Sequence, residues 1–288
     1  MNGQLLNKKD IESIVKLALV EDSAFNDLTT NNLIPNDRSG KFILVANEEG
    51  IISGLELFQK TMQEMSNKIQ ITHTKNDGDN VKPAEIILEL TGPINKILSG
   101  ERVGLNFLQM LSGISSLTNQ FIQKINSNKI VIRDTRKTRP LLRKLEKYAV
   151  TQGGGQNHRN TLEDFILIKD NHLHWAKKNG MQILEIIKNY KEKFGESYTI
   201  EIEVESITDA EEALKSNADI LLLDNMHVKE IEKVCRLKSK LKSKSKIEIS
   251  GGINLTNIEQ YADYDIDYIA IGALIHSAKF FDFSLEIS

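Results

Sequence analysis

The chain has 288 residues, a formal net charge of −3, 40% apolar residues and 27% charged residues. This is the make-up of an ordinary globular protein of two domains, or of one barrel with an appendage. A single cysteine, Cys235, excludes an intrachain disulfide and a cysteine-built metal site, and it suits a reducing cytosol. The N-terminal MNGQLLNKKD lacks the apolar core and cleavage site of a secretory signal. No run approaches the roughly 18 apolar residues that cross a bilayer. The pI near 6 and the scarcity of aromatics speak against a general nucleic-acid binder.

Between Asp10 and Val20, apolar residues at Ile11, Ile14, Val15, Ala18 and Leu19 recur at helical spacing, which predicts a helix with one buried face. EDSAFNDLTTNNLIPNDRSG, rich in Asn, Asp and Ser, reads as a long turn region. KFILVANEEGIISG predicts strand material broken at Gly50, and LELFQKTMQEM predicts a second amphipathic helix. ITHTKNDGDNVKPAEIILELTG predicts two strands around an Asp77-Gly78 turn. A longer helical pattern runs from Ile97 to Ile125, with an interruption expected near Gly113.

After Lys129 the rhythm changes. IVIRDT, DFILIKD, YTIEIEV, DILLLDN, KIEISGG and DYIAIGA alternate with helical segments at Pro140–Tyr148, His174–Tyr190, Thr208–Ser216 and Asn254–Tyr261. Such alternation predicts parallel strands with helical crossovers, in a barrel or an open doubly wound sheet. RLKSKLKSKSK, from Arg236 to Lys246, reads as a solvated helix end and loop.

The residues at the strand ends carry the functional signal. The runs lead into Arg136-Lys137-Thr138, Lys169-Asp170-Asn171, Asp224, Ser250-Gly251-Gly252 and Gly272, while Glu201, Glu203 and Glu205 share one face of their strand. In α/β barrels reactive groups gather at the C-terminal strand ends and phosphate sites form in late glycine-bearing loops. Arg136, Lys137, His158, Arg159 and Lys169 are expected to line a pocket for an anion with several carboxylates or phosphates, arginine gripping planar carboxylates with paired hydrogen bonds. Thr138 before Pro140 reads as a helix start whose N–H groups face that anion. The run Gly153-Gly154-Gly155 and the Ser250-Gly251-Gly252 turn would let main chain approach a ligand. Glu203 and Asp224, on adjacent strands, suit Mg²⁺ with ligand oxygens; the alternative is a polar barrel interior paired with Lys137 or Lys169. His73, His172 and His227 are read as structural.

DTRKTRP, EKYAV with GGGQNHR, LIKDNH, IEIEVES, LLLDNM, ISGGI and IGALIHSA stand in this order, together with GERVGLNFLQMLSGIS and EDSAFNDLTT. In this combination the chain resembles the quinolinate phosphoribosyltransferase family from about Glu21 to Ser284. The resemblance implies an N-terminal α/β sandwich domain (1–112, with the tail 275–288 returning to it) and a C-terminal, incomplete α/β barrel of seven strands (113–274). It implies a cytoplasmic transferase joining quinolinate to 5-phosphoribosyl-1-pyrophosphate (PRPP) with release of pyrophosphate and CO₂, and with Mg²⁺ as cofactor. It also implies a dimer or hexamer in which Arg102 completes the neighbouring site; periodicity alone reads Arg102 as a surface residue on a helix.

By the same resemblance Arg102, Arg136, His158, Arg159 and Lys169 hold the quinolinate carboxylates, and Lys137 bridges toward PRPP. Glu203 and Asp224 take Mg²⁺ and ribose hydroxyls, and Ser250, Gly251, Gly272 and His276 cradle the 5-phosphate. Lys137, Glu203 and Asp224 are the expected catalytic set. The chain departs from the family in two places. Pro140-Leu141-Leu142-Arg143 stands where Pro-Gly-Leu-Arg is usual, and Val81-Lys82-Pro83-Ala84 where a glycine is common. Three rivals share parts of the pattern. They are the pyrophosphorylase-like relative associated with molybdenum transport, phosphoribosyl transfer to nicotinate without decarboxylation, and a non-catalytic anion- or RNA-binding module. Arg102 in GERVGLN and SGI at Ser112–Ile114 oppose the first, and five cationic groups exceed what the single carboxylate of the second requires. The third leaves Glu203 and Asp224 unexplained and predicts salt-sensitive binding.

Overall fold

The computed structural model describes residues 6–288. In chain order the elements are α1 (Lys8–Glu21), α2 (Leu28–Leu33), β1 (Ser39–Ala46), β2 (Gly50–Ile51), α3 (Leu55–Met65), β3 (Gln70–His73), β4 (Asn80–Val81), β5 (Ile86–Pro93) and α4 (Ile94–Ile125). Then come β6 (Val131–Arg133), α5 (Arg143–Gln152), β7 (Ile166–Ile168), α6 (Asp170–Lys178), α7 (Ile183–Phe194), β8 (Ile200–Val204), α8 (Ile207–Lys215) and β9 (Ile220–Asp224). The chain closes with α9 (Val228–Leu241), β10 (Lys246–Ser250), β11 (Tyr268–Ala270), α10 (Ala273–His276) and β12 (Phe283–Ile287). Two compact units result. One comprises residues up to Asn119, Thr138–Gly154 and Leu274–Ser288; the other comprises Gln120–Lys137 and Gly155–Ala273.

The first unit is built on an antiparallel sheet in the order β12-β1-β5-β3. β1 alternates, turning Phe42, Leu44 and Ala46 into the core, as a sheet with one covered face requires. α1 buries Ile11, Val15 and Leu19 as its spacing predicts, and Lys60 of α3 ties it down through Glu12 at 3.0 Å. The turn-rich segment is more ordered than expected. Asp27 accepts the N–H groups of Thr29 and Thr30 and so starts α2, a cap worth about 1 kcal/mol.

Two strands flank the Asp77-Gly78 turn as expected: β3 pairs antiparallel with β5, and between them in the chain the two-residue β4 pairs with β2. The Asp77 carboxylate accepts the N–H groups of Gly54 and Leu55 at the start of α3. Gly113 does not interrupt α4. A Cβ there would stand 1.9 Å from the Lys279 carbonyl oxygen, so this glycine lets the C-terminal segment cross the helix. α4 runs unbroken through the boundary expected at 112/113. Residues 138–154, expected within the barrel, group with the first unit: Ser115 donates to the Ala149 carbonyl at 2.8 Å and Tyr148 to Asp77 at 2.7 Å.

In the second unit all six predicted runs are strands, parallel, in the order β6-β11-β10-β9-β8-β7. Their apolar side chains are buried on both sides, as in β8, where every residue is buried. A seventh position is reduced to one residue. Gln156 makes an isolated parallel bridge to Arg133, with its N–H donating to the Ile132 carbonyl at 2.9 Å. The ring order is therefore Gln156, β6, β11, β10, β9, β8, β7. Among the described residues no pairing joins β7 to the Gln156 segment, which makes an incomplete barrel. The crossover expected as one segment over His174–Tyr190 is two helices, α6 and α7, and that over Asn254–Tyr261 is only a 3₁₀ turn at Ile258–Tyr261.

Candidate active site

Parallel register sets the heights of the functional residues. Ser250 pairs with Asp224 on one side and with Ala270 on the other, and Ala270 pairs with Arg133. Asp224, Ser250, Gly272 and Arg136-Lys137 therefore leave the barrel at its C-terminal end together. Ile168 pairs with Ile202, and this brings Lys169 to Glu203, with Nζ 3.7 Å from Oε2.

The cations form one group. Asp134, fully buried, accepts the His158 N–H at 3.0 Å, and the Gln156 bridge fixes the same segment one step earlier. Arg159, 7% exposed, donates to the Phe165 carbonyl at 3.4 Å and lies over the Phe165 ring. Burial, with Arg136 nearby, holds its guanidinium below the usual arginine range. Arg136 Nε is buried without a hydrogen-bond partner. Lys169 is half exposed above Glu203, and Lys137 is exposed, its N–H donating to Thr135 Oγ1 at 3.0 Å. Two guanidinium groups repelling each other out of water are an arrangement that an anion relieves.

The acidic side is smaller. Glu203 is buried, and burial followed by the neighbouring Asp224 raises its carboxyl pKa, against Lys169, which lowers it. Asp224 takes the Ser250 hydroxyl on one oxygen and the Asn225 amide, at 2.7 Å, on the other. Gly251 is required here: its φ is +93° and a Cβ would stand 2.1 Å from Asn225 Oδ1. Two carboxylates held close at neighbouring strand ends, with hard oxygen donors and mutual repulsion, fit a magnesium ion.

Two expectations change. The helix after Thr138 begins only at Arg143, with Leu142 as its uncapped start, and Thr138 Oγ1 accepts from Arg143 Nε. No helix N-terminus is therefore offered to an anion at Thr138–Pro140. The glycine run serves packing first, since a Cβ on Gly153 would lie 2.3 Å from the Ser115 carbonyl oxygen, and Gly154 has φ +92° at the helix end. The cations that the sequence gathers between Arg136 and Arg159 divide into two groups. Arg139 is bound to the buried Glu146 at 2.7 Å and Lys144 to Asp10 at 2.6 Å, both within the first unit. Arg102 on α4 and His276 at the end of α10 belong to that unit as well and are exposed. Of the histidines read as structural, the His172 ring accepts the Lys169 N–H and His227 caps α9.

One step deeper lies a second layer, of which the sequence points only to Glu201, through the face it shares with Glu203 and Glu205. Glu201 and Glu248 are fully buried inside strands of isoleucine. His158 Nε2 stands 3.0 Å from Glu201 and 3.6 Å from Glu248, and Arg133 donates to Glu248 at 2.9 Å. Burial raises both carboxyl pKa values to about 7, against the lowering influence of Arg133 on each. The available signal was a glutamate at an inward position of a buried strand, which is costly unless paired.

Family patterns match almost the whole chain: quinolinate phosphoribosyl transferase, N-terminal domain, over residues 27–112, and its C-terminal domain over residues 114–286. A probable nicotinate-nucleotide pyrophosphorylase [carboxylating] of Methanocaldococcus jannaschii is 40% identical, covering 95% of this chain and 96% of its own. Its counterpart in Bacillus subtilis is 35% identical over 98% of this chain and 95% of its own. The crystal structure of NadC from Streptococcus pyogenes superposes with a TM-score of 0.91 at 37% identity, covering 98% of this chain and 99% of that one. With both domain patterns matched in order, and with relatives this similar along their whole length, the chain belongs to the quinolinate phosphoribosyltransferase family.

Proposed function

We propose that this protein transfers the phosphoribosyl group of PRPP to the ring nitrogen of quinolinate and releases CO₂ and pyrophosphate, giving nicotinate mononucleotide for NAD synthesis. The observation that carries the reading is the cluster of Arg136, Arg159 and Lys169 with His158 among them, in which Arg159 is buried near Arg136 and Arg136 Nε has no hydrogen-bond partner. A ligand with two adjacent carboxylates satisfies such a group; one carboxylate leaves part of it unpaired.

In this reading Arg136, His158, Arg159 and Lys169 grip the two carboxylates and aim the pyridine nitrogen at ribose C1. Lys137, free to swing at the exposed edge, meets the phosphates. Ser250, Gly251 and Gly272 receive the 5-phosphate. As the nitrogen bonds to C1, the C1–oxygen bond to pyrophosphate breaks, and positive charge on the sugar is stabilised by Glu203 and Asp224. The quaternary ring then accepts the electron pair of the carbon–carboxylate bond, CO₂ leaves, and a proton takes its place on the ring. No side chain forms a covalent bond; placement supplies most of the acceleration. Glu203 and Asp224 are the residues to hold Mg²⁺, which when bound neutralises charge on pyrophosphate.

Assembly belongs to the same reading. Leu17, Val20, Leu28 and Leu33 of α1 and α2 are between 66% and 81% exposed, an apolar surface suited to cover by a second copy. Arg102 is the residue that would complete the neighbouring site. The single cysteine, buried with its thiol pKa raised to about 11, accords with a reducing, cytoplasmic setting. Among the described residues no helix is long and apolar enough to cross a membrane.

The test is carboxyl-labelled quinolinate with PRPP and Mg²⁺, following released CO₂ and nicotinate mononucleotide together. Equal release, abolished by omitting PRPP or chelating the metal, is the expected result. Folded protein that yields neither product contradicts the proposal.

A further inference from the structure

We propose that Glu201 and Glu248 are positioning residues for the acceptor pocket, a buried carboxylate pair that fixes the His158 imidazole from below. The inference rests on the reading of His158 as a contact to the quinolinate carboxylates.

Glu201 and Glu203 lie two apart on β8 and so on one face, with Glu203 nearer the open end. Glu248 lies two strands away on β10, in register with Glu203 through Leu222 of β9, and it too is fully buried. His158 reaches down between them, its Nε2 3.0 Å from Glu201 Oε2 and 3.6 Å from Glu248 Oε1. Its main chain is held separately by Asp134, and its ring meets Phe165 edge-on, with centroids 5.0 Å apart. The imidazole is thus fixed by a carboxylate, a ring and its own backbone.

Glu248 is anchored in turn by Arg133, whose guanidinium lies 3.3 Å from the Tyr268 ring centroid. The three ligand atoms of His158, Glu201 and Glu248 fall within 4.8 Å of one another, a spacing that also suits a metal ion. The guanidinium of Arg133 already supplies the positive charge at Glu248, so the cluster needs no ion. Burying two carboxylates is costly and is repaid only by close partners. A layer placed under the cationic pocket gains them from the cations it holds in place. Glu201 Oε1 and Glu248 Oε1 still lack hydrogen-bond partners, so packing alone gives no reason for carboxylates here.

Steady-state kinetics with quinolinate and PRPP varied separately test this in Glu201→Asp and Glu201→Gln. Glutamine keeps an acceptor oxygen at the same reach, whereas aspartate keeps the charge but withdraws the carboxylate by one methylene. Losing the contact is expected to raise the quinolinate KM roughly tenfold in Glu201→Asp and less than about threefold in Glu201→Gln. The PRPP KM should stay within about twofold of wild type in both variants. A larger effect in glutamine than in aspartate, or parallel rises in both KM values, overturns the inference.

In a His158→Ala background, Glu201→Asp is expected to change the quinolinate KM no further; additive effects also overturn it. His158→Ala alone separates the two levels. If it leaves the quinolinate KM unchanged, the reading of His158 as an acceptor contact fails. If it raises that KM while Glu201→Asp is silent, only the positioning role fails.

Discussion

The basic stretch from Arg136 to Arg159 has one composition and two fates. Arg139 and Lys144 are spent on Glu146 and Asp10 inside the first unit. Arg136, Lys137 and Arg159 stand at the open end of the barrel, where Arg136 Nε has no hydrogen-bond partner and Arg159 is buried near it. A count of charges cannot separate the two groups; only the counter-ion each finds in the fold does. Positive charge that the protein itself neutralises is architecture, and positive charge left facing its own kind awaits a ligand.

The comparison breaks most easily at Lys137. Lys137→Ala is expected to lower turnover by roughly 10²–10³-fold, the usual cost of removing one transition-state charge contact, with an unchanged melting curve. Near-normal turnover would remove Lys137 from the site. Arg139→Ala is expected to do the reverse, because it leaves the buried Glu146 short of its guanidinium partner. Denaturant titration should show a loss of roughly 1–3 kcal/mol, while kcat per folded molecule stays near wild type. A fall in kcat without a loss of stability would move Arg139 across the divide.

The smallest effect sharpens the boundary itself. Leu141, between the two groups, has φ +66° and is 95% exposed, and Ala84 has φ +69°. These are the two segments where the family resemblance leads one to expect a glycine, and both hold a side chain in the left-handed region. Leu141→Gly is therefore expected to stabilise the fold by about 1 kcal/mol, read as a higher denaturant midpoint at unchanged slope. A destabilised variant would show that the exposed leucine makes a contact of its own.

Much of this was legible in the sequence. The six barrel strands are short runs of Ile, Leu and Val ending in charged residues or glycine, and that pattern depends on near neighbours only. What stayed hidden depends on distant ones. Gly113 reads as a helix break until the C-terminal segment crosses it. Gly153 reads as ligand-facing until Ser115 fills the space. Glu201 shares a face with Glu203 in the sequence, but its burial beside Glu248 shows only once both faces of their strands prove to be covered. The site residues could be named from motif order, but the sequence offered no sign of which lysines and arginines would be neutralised.

The division of the basic stretch is tested most directly by calorimetric titration of quinolinate into the wild type, Arg159→Ala and Arg139→Ala at one ionic strength. The account predicts that Arg159→Ala loses at least about tenfold in affinity, in line with truncating one partner of a charged contact, and that Arg139→Ala binds as wild type does. Equal losses in the two variants, or an undiminished affinity in Arg159→Ala, would contradict it.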